Sequence, residues 1–294
     1  MLAFLPPALI ARQRHVLALA MPIILSNISE PLLGAVDTAV VGQLPSPIHI
    51  GAVAIGATLF SFLFWGFGFL RMGTTGITAQ AAGANNPRDL AAAFARPFLL
   101  ALALSVPLLL LQGPIAWASL ELFEASAPTE ALAADYFTIR IWSAPAALAN
   151  YVVLGWLLGT GRTGMVLLLQ LLLNGANIVL DLIFVLQFDW GVAGVAWATV
   201  IAQYLAFAAG LLVIARAADM RAHNRRSLDL LDPAKLRRLL RINVDIFIRT
   251  VALLIAFTWF TVKATELGDL TLAANAVLYN IFGCLLYTSD AADE

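Results

Sequence analysis

Long apolar runs alternate with short polar connections along this chain. A helix that crosses a bilayer takes about 20 predominantly apolar residues. Eight runs of that kind occur, at 16–44, 50–72, 97–117, 131–158, 166–188, 191–214, 239–262 and 270–286. The pattern predicts an all-α polytopic membrane protein. Six helices would form an amino-terminal bundle (1–215), a basic connection would follow (216–238), and the first two helices of a second bundle would occupy 239–283. Residues 284–294 place Asp290, Asp293 and Glu294 where the eighth span should finish, and they read as a non-native tail. The first fifteen residues hold Pro6, Pro7, Arg12 and Arg14 with no small-residue cleavage site, so no removable signal peptide is expected.

Composition agrees with the pattern. With 61% hydrophobic residues, 12% charged residues and a mean hydropathy of +0.88, the chain is too apolar for a water-soluble domain. Its single cysteine, Cys284, excludes a disulfide within the chain and a Cys/His metal cluster. The formal net charge of −1 conceals an asymmetry between connections. When alternate connections are assigned to opposite sides, one side collects Arg12, Arg14, Arg88, Arg96, Arg162 and the run of cations from Arg216 to Arg241. The other has only Lys263 among six acids, Glu121, Glu124, Glu130, Asp189, Glu266 and Asp269. Cytoplasmic loops carry the excess of Lys and Arg, so the amino terminus is expected in the cytoplasm and the protein in the inner (plasma) membrane.

The basic connection also separates a weak repeat. The segment Ile50 to Phe60 aligns without a gap against Leu272 to Phe282, and each follows a long apolar run and a short connection. Transporters built from two parallel bundles show internal similarity of this kind.

Against this apolar background a few polar residues stand out. Asp37 lies inside the first run and Asp181 inside the fifth. An ionised side chain at membrane depth is costly and usually faces a polar cavity that carries ions or protons. At 1.5 Å rise per residue, each lies about 10 Å inside the same membrane face. Thr199 in the sixth run and Tyr136 in the fourth fall at a similar depth. Gln170, Asn174, Asn177 and Asp181 are spaced by 4, 3 and 4 residues, which puts them on one face of a helix. That face should line an interior cavity. Gln170, Asn174 and Gln203 have a second reading as amides that bond to one another and hold helices together. Two acids sharing an apolar cavity titrate as a coupled pair, as a proton-coupled carrier requires. Glu30 is seven residues before Asp37 and falls on nearly the same helical face, where it joins the pair or lines the cleft. Asp245 and Arg249, four apart at the start of the seventh run, suit a local ion pair or a gate between bundles. Arg140 suits either a carboxylate partner or a buried donor.

The stretch from Ala20 to Leu44, with Pro31-Leu32-Leu33-Gly34 leading into Val36-Asp37-Thr38-Ala39-Val40-Val41-Gly42, resembles the opening helix of multidrug and toxic compound extrusion (MATE) transporters, specifically the DinF branch. Asn177 to Asp181 followed by Gly191 to Thr199 is similar to the family's fifth and sixth helices. Asp245 to Thr250 with Leu272 to Val277 is similar to the seventh and eighth. The resemblance covers nearly everything from Arg14 to Phe282, and it implies a twelve-helix exporter whose last third is missing here. It implies exchange of drugs or other organic compounds for inward H+ or Na+. Asp37, Asn177, Asp181 and Thr199 would fill the coupling positions, with Tyr136 as a fourth-helix member. Pro22 would stand at the proline associated with bending of the first helix, where its missing N–H gives a physical reason for a kink.

The expectations are therefore an antiporter with no cofactor beyond the coupling ion and no nucleic-acid partner. It would be a monomer among membrane lipids, and its cargo a small organic cation or other amphipathic molecule. No metal site is expected unless Na+ binds at Asp37, Asn177, Asp181 and Thr199. Two rivals remain. A lipid-linked precursor flippase of the same superfamily would need more cations in its cleft than Arg71, Arg140 and Arg249. An intramembrane aspartyl enzyme would need its two acids within a few ångströms and no repeat.

Overall fold

The computed structural model describes residues 17, 20–26, 36, 37, 39–44, 46–121, 123, 125–217 and 232–266, the side chains at 217, 254, 257, 258 and 260–266 excepted. Among the described residues the protein is all helix and turn, with no strand. Its helices are α1 (Pro47–Trp65), α2 (Phe69–Gly83), α3 (Pro87–Leu110), α4 (Gln112–Leu120), α5 (Ala127–Arg140), α6 (Ala144–Gly159), α7 (Thr163–Asp181), α8 (Gly191–Ala217) and α9 (Pro233–Glu266). Five stretches are long and apolar enough to cross a membrane: Pro47–Gly83, Pro87–Leu110, Ala127–Gly159, Thr163–Gln187 and Gly191–Arg216. They correspond to the second through sixth expected spans, and the chain is a multi-pass membrane protein. The eighth span, the repeat segment 272–282, the tail and the connection 218–231 lie outside the described residues.

Helix starts follow local chemistry. Asn86 caps α3 by accepting from Arg88 N at 3.1 Å and Asp89 N at 3.3 Å, with Pro87 in the first turn. Asp232 does the same for α9, accepting from Ala234 N at 2.9 Å and Lys235 N at 3.3 Å. These caps start α3 and α9, the helices of the third and seventh expected spans, well before the apolar runs begin. The expected start at 97 is thus corrected: Pro97 and Pro107 lie inside α3. A polytopic helix tolerates such prolines because neighbouring groups satisfy the carbonyls they leave free.

Three spans are also broken where hydropathy showed continuity. The second turns at Gly66 to Gly68 between α1 and α2. The fourth passes through a 3-10 turn at Ile141–Ser143, directly before Pro145. The fifth ends α7 at Asp181 and continues as a π-helical turn, Leu182–Gln187.

Helix α6 is the hub, packed against α2, α3, α7 and α8. Apolar burial gives little preference between protein and lipid, so close helix contact in a bilayer depends on small residues. Gly155 and Gly159 supply it: a Cβ on either would stand 2.5 Å from Arg71 O or 2.6 Å from Thr75 O on α2. Trp156, buried between them, donates from Nε1 to Leu90 O on α3 at 3.1 Å. Helix α9 approaches α2 in the same way, with Asn243 against Gly73.

Candidate functional site

The two aspartates reach one place from different elements. Asp37 lies in a helical piece of the first span and is half-buried, while Asp181 is the last residue of α7 and is fully buried. Their carboxyl groups stand within hydrogen-bonding reach of each other. No donor reaches either oxygen of Asp181 or Oδ1 of Asp37. An ionised carboxylate cannot donate, so the pair closes a hydrogen bond between its members only when one carries a proton. Two bare carboxylates this close in an apolar setting repel strongly, and one shared proton removes that repulsion.

Arg140, the last residue of α5, is the cation beside the pair. Its Nη1 donates to the Tyr136 hydroxyl. The guanidinium lies over two rings, 4.9 Å from the Phe60 centroid and 5.4 Å from that of Tyr136. Phe60 stacks on Phe137 at 5.0 Å and meets Tyr136 edge-on at 6.4 Å. This aromatic packing fixes a long, flexible arginine. Gly56 makes room for the Tyr136 ring: a Cβ there would come within 2.6 Å of Cε1 and closer still to Cδ1.

One turn before Asp181, Asn177 Nδ2 donates to Thr199 Oγ1 at 3.4 Å, and Thr199 donates on to Val195 O at 3.0 Å. Asn177 Oδ1 is buried without a donor. Four oxygens lacking donors therefore belong to three of the residues expected at the coupling site, and that donor set suits a proton or a hard cation. Among the described residues no group of three or more His, Cys, Asp or Glu side chains gathers into a metal cluster.

The remaining expected residues separate from this centre. Gln170 Nε2 bonds to Asn174 Oδ1 at 3.2 Å within α7. Gln203 accepts from Asn150 Nδ2 on α6 at 2.9 Å, and the same nitrogen reaches the Gln203 backbone oxygen at 3.1 Å. The Asn150–Gln203 bonds tie α6 to α8, whereas the Gln170–Asn174 bond stays within one helix. Asn150 was missed, although a lone amide in an apolar run gives the same signal as Asp181. Pro22 sits in a helical piece, 20–26, and residues 27–35, Glu30 among them, lie outside the described residues. The expected ion pair of Asp245 with Arg249 does not form. Arg249 Nη2 instead lies 3.8 Å from Met72 Sδ on α2. Both residues are exposed, and an exposed pair gains too little to hold two side chains in one geometry.

Residues 22–183 match the MatE family, more than half of the 294 and a stretch that contains both Asp37 and Asp181. The chain belongs to the MatE family. It is 43% identical over 272 residues to DNA damage-inducible protein F of Escherichia coli (strain K12), a match covering 92% of this chain and 59% of that protein. It thus spans about three-fifths of that relative's length. Among solved structures, it is similar to MATE in the bent conformation, with a TM-score of 0.79, 21% identity, and 95% of this chain and 63% of that one covered. A MOP superfamily transporter from Pyrococcus furiosus Vc1 (DSM3638) gives 0.77 at 21% identity, covering 95% and 62%. The outward-facing conformation of a multidrug resistance MATE family transporter of the MOP superfamily gives 0.76 at 21%, covering 94% and 62%. At these identities the structures support the MatE fold.

Proposed function

We propose that this MatE chain carries the ion-coupling bundle of a secondary antiporter that exports organic, amphipathic compounds in exchange for H+. The observation that carries this reading is the pair of Asp37 and Asp181 beside Arg140, with Asp37 Oδ1 and both oxygens of Asp181 lacking a donor. Two carboxylates and one guanidinium sum to −2 + 1 = −1, so a single proton brings the centre to neutrality. That proton would bond the two carboxyls together and draw the first span toward α7. Arg140, tied to Tyr136 and held over Phe60, stays behind as the fixed charge. Cargo leaves when the first span shifts, with Pro22 as the point of bending, and loss of the proton resets the pair. Na+ would use the same oxygens together with Asn177 and Thr199, but a resident guanidinium already fills the place of a second cation. The basic connections set the amino terminus on the cytoplasmic side of the inner membrane. Family membership argues against an intramembrane aspartyl enzyme.

The test is Asp37→Asn in a full-length homologue reconstituted in vesicles. Efflux driven by an imposed pH gradient should fall to background while an imposed Na+ gradient drives neither form. Coupled efflux retained at the parental rate would refute the assignment, and efflux driven by Na+ alone would replace H+ as the ion.

A further inference from the structure

A second polar site lies at the opposite, basic end of the protein. A cavity of about 220 Å³ opens between the end of α2, the first half of α3 and the start of α9. Its polar lining is Gln80, Asp89, Arg96, Lys235 and Arg238, and the rest of the lining is apolar, Pro97 included. Arg96 is engaged in an interaction of its own, so the cations set against Asp89 are Lys235 and Arg238, a balance of +2 − 1 = +1. Asp89 is already engaged on both oxygens, accepting from Asn86 Nδ2 at 2.8 Å and lying 3.7 Å from Lys235 Nζ. It therefore cannot neutralise Arg238, whose Nη2 donates to the neutral Gln80 Oε1 at 3.1 Å. Arg96 enters the same lining from about two turns beyond Asp89 along α3.

Depth and shape narrow the ligand. Arg96 directly precedes Pro97, where the apolar run of the third span begins, so the cations stand at the level of the headgroup boundary. The site is amphipathic, its lining joining cationic side chains to apolar ones such as Ile77, Ala92 and Leu239. Guanidinium and ammonium groups converging at that level match a phosphate carrying negative charge, and basic pockets between helices on the cytoplasmic side hold anionic headgroups.

We infer that the cavity bounded by Gln80, Arg96, Lys235 and Arg238 binds a phosphate-bearing anion, supplied by the headgroup of an anionic phospholipid. Because α2 and α3 belong to the first bundle and α9 to the start of the second, the bound phosphate ties the two together. Anionic lipid would then favour the arrangement in which α9 lies against α2.

Lys235 and Arg238 are exposed, so their replacement leaves the packed interior intact. The purified chain in detergent is titrated with phosphatidylglycerol, with phosphatidylcholine and with inorganic phosphate, and thermal unfolding is read. The unmodified chain should be stabilised by phosphatidylglycerol and not by phosphatidylcholine. At about 1 kcal/mol per basic residue, Lys235→Gln with Arg238→Gln should weaken that response roughly thirtyfold. Arg88→Gln, an exposed cation outside the cavity, should leave it unchanged. Stabilisation by inorganic phosphate, lost in the same double variant, would assign the cations to free phosphate. Equal responses to both lipids with no response to phosphate, or equal weakening by Arg88→Gln, would overturn the site.

Discussion

Gly56→Ala tests whether the packing around Tyr136 holds the charged centre in place. The added methyl would overlap Cδ1 and Cε1 of a ring that is fully buried, and neither atom is the free end of a flexible side chain. The ring must withdraw by about 1 Å, or α1 must separate from α5, before ordinary contact is restored. Overpacking of this kind costs about 1–3 kcal/mol. Alanine in place of glycine in a helix interior returns about 1 kcal/mol. The net expectation is a loss of up to about 2 kcal/mol. Gly76→Ala on α2 is the control, because a Cβ there meets nothing within 4 Å. Thermal unfolding in detergent should rank Gly56→Ala below the parent and Gly76→Ala at or above it. Ion-coupled transport should also fall in Gly56→Ala, because Arg140 is bonded to the displaced hydroxyl and must leave its seat over Phe60. Adding Tyr136→Ala removes the clash, so the double variant should lose less than the two single losses summed. If Gly56→Ala matches Gly76→Ala in both stability and transport, the ring does not position Arg140.

Two further substitutions separate charge from scaffolding. Arg140→Gln removes the cation beside the pair and leaves two charges to neutralise in each cycle instead of one. A charge interaction near a protein surface reaches about 4 kcal/mol at 4 Å, so coupled efflux at a fixed pH gradient should drop by at least about tenfold, with cargo binding retained in a ligand-binding assay. Asn150→Leu removes both bonds to Gln203 and should cost about 1–2 kcal/mol in thermal unfolding, while the number of ions moved per cargo stays unchanged in vesicle flux measurements.

The candidate residues stood out in the sequence because a bilayer makes any polar residue conspicuous. Asp37, Asp181, Asn177 and Thr199 interrupt apolar runs, and the 4, 3 and 4 spacing of α7 shows which of them share a face. What they touch could not be read. Whether Arg140 meets a carboxylate depends on the rotation of α5 against α7 and the first span, which helical periodicity within one element does not encode. The breaks at 66–68 and 141–143 were hidden for a related reason: hydropathy averages over a window and ignores backbone geometry. The α3 boundary was misplaced because Arg88, Asp89 and Arg96 interrupt the apolar run, whereas the helix begins at its cap ahead of them and carries Pro97 mid-run. Asp245 and Arg249 satisfied a spacing rule that permits an ion pair without requiring one, and both side chains stay exposed and apart.

The breaks also explain why the centre sits where it does. Helix α1 is separated from α2 by the turn at Gly66 to Gly68, and α5 from α6 by the 3-10 turn at Ile141–Ser143. Asp181 stands where α7 gives way to the π-helical turn. Helices α2 and α6 are the segments locked together through Gly155 and Gly159. Helices α1 and α5 pack on each other and carry Phe60, Tyr136 and Arg140. The charged centre is thus built on the halves of these spans that lie beyond the breaks, away from the locked hub. Irregular backbone at membrane depth is tolerated where it is enclosed by protein or lines a cavity, and π-helical turns concentrate at functional sites. Under the proposed coupling, a change of one charge at Asp37 and Asp181 would be taken up by rotation at these three breaks, with the contacts of α2 and α6 left in place.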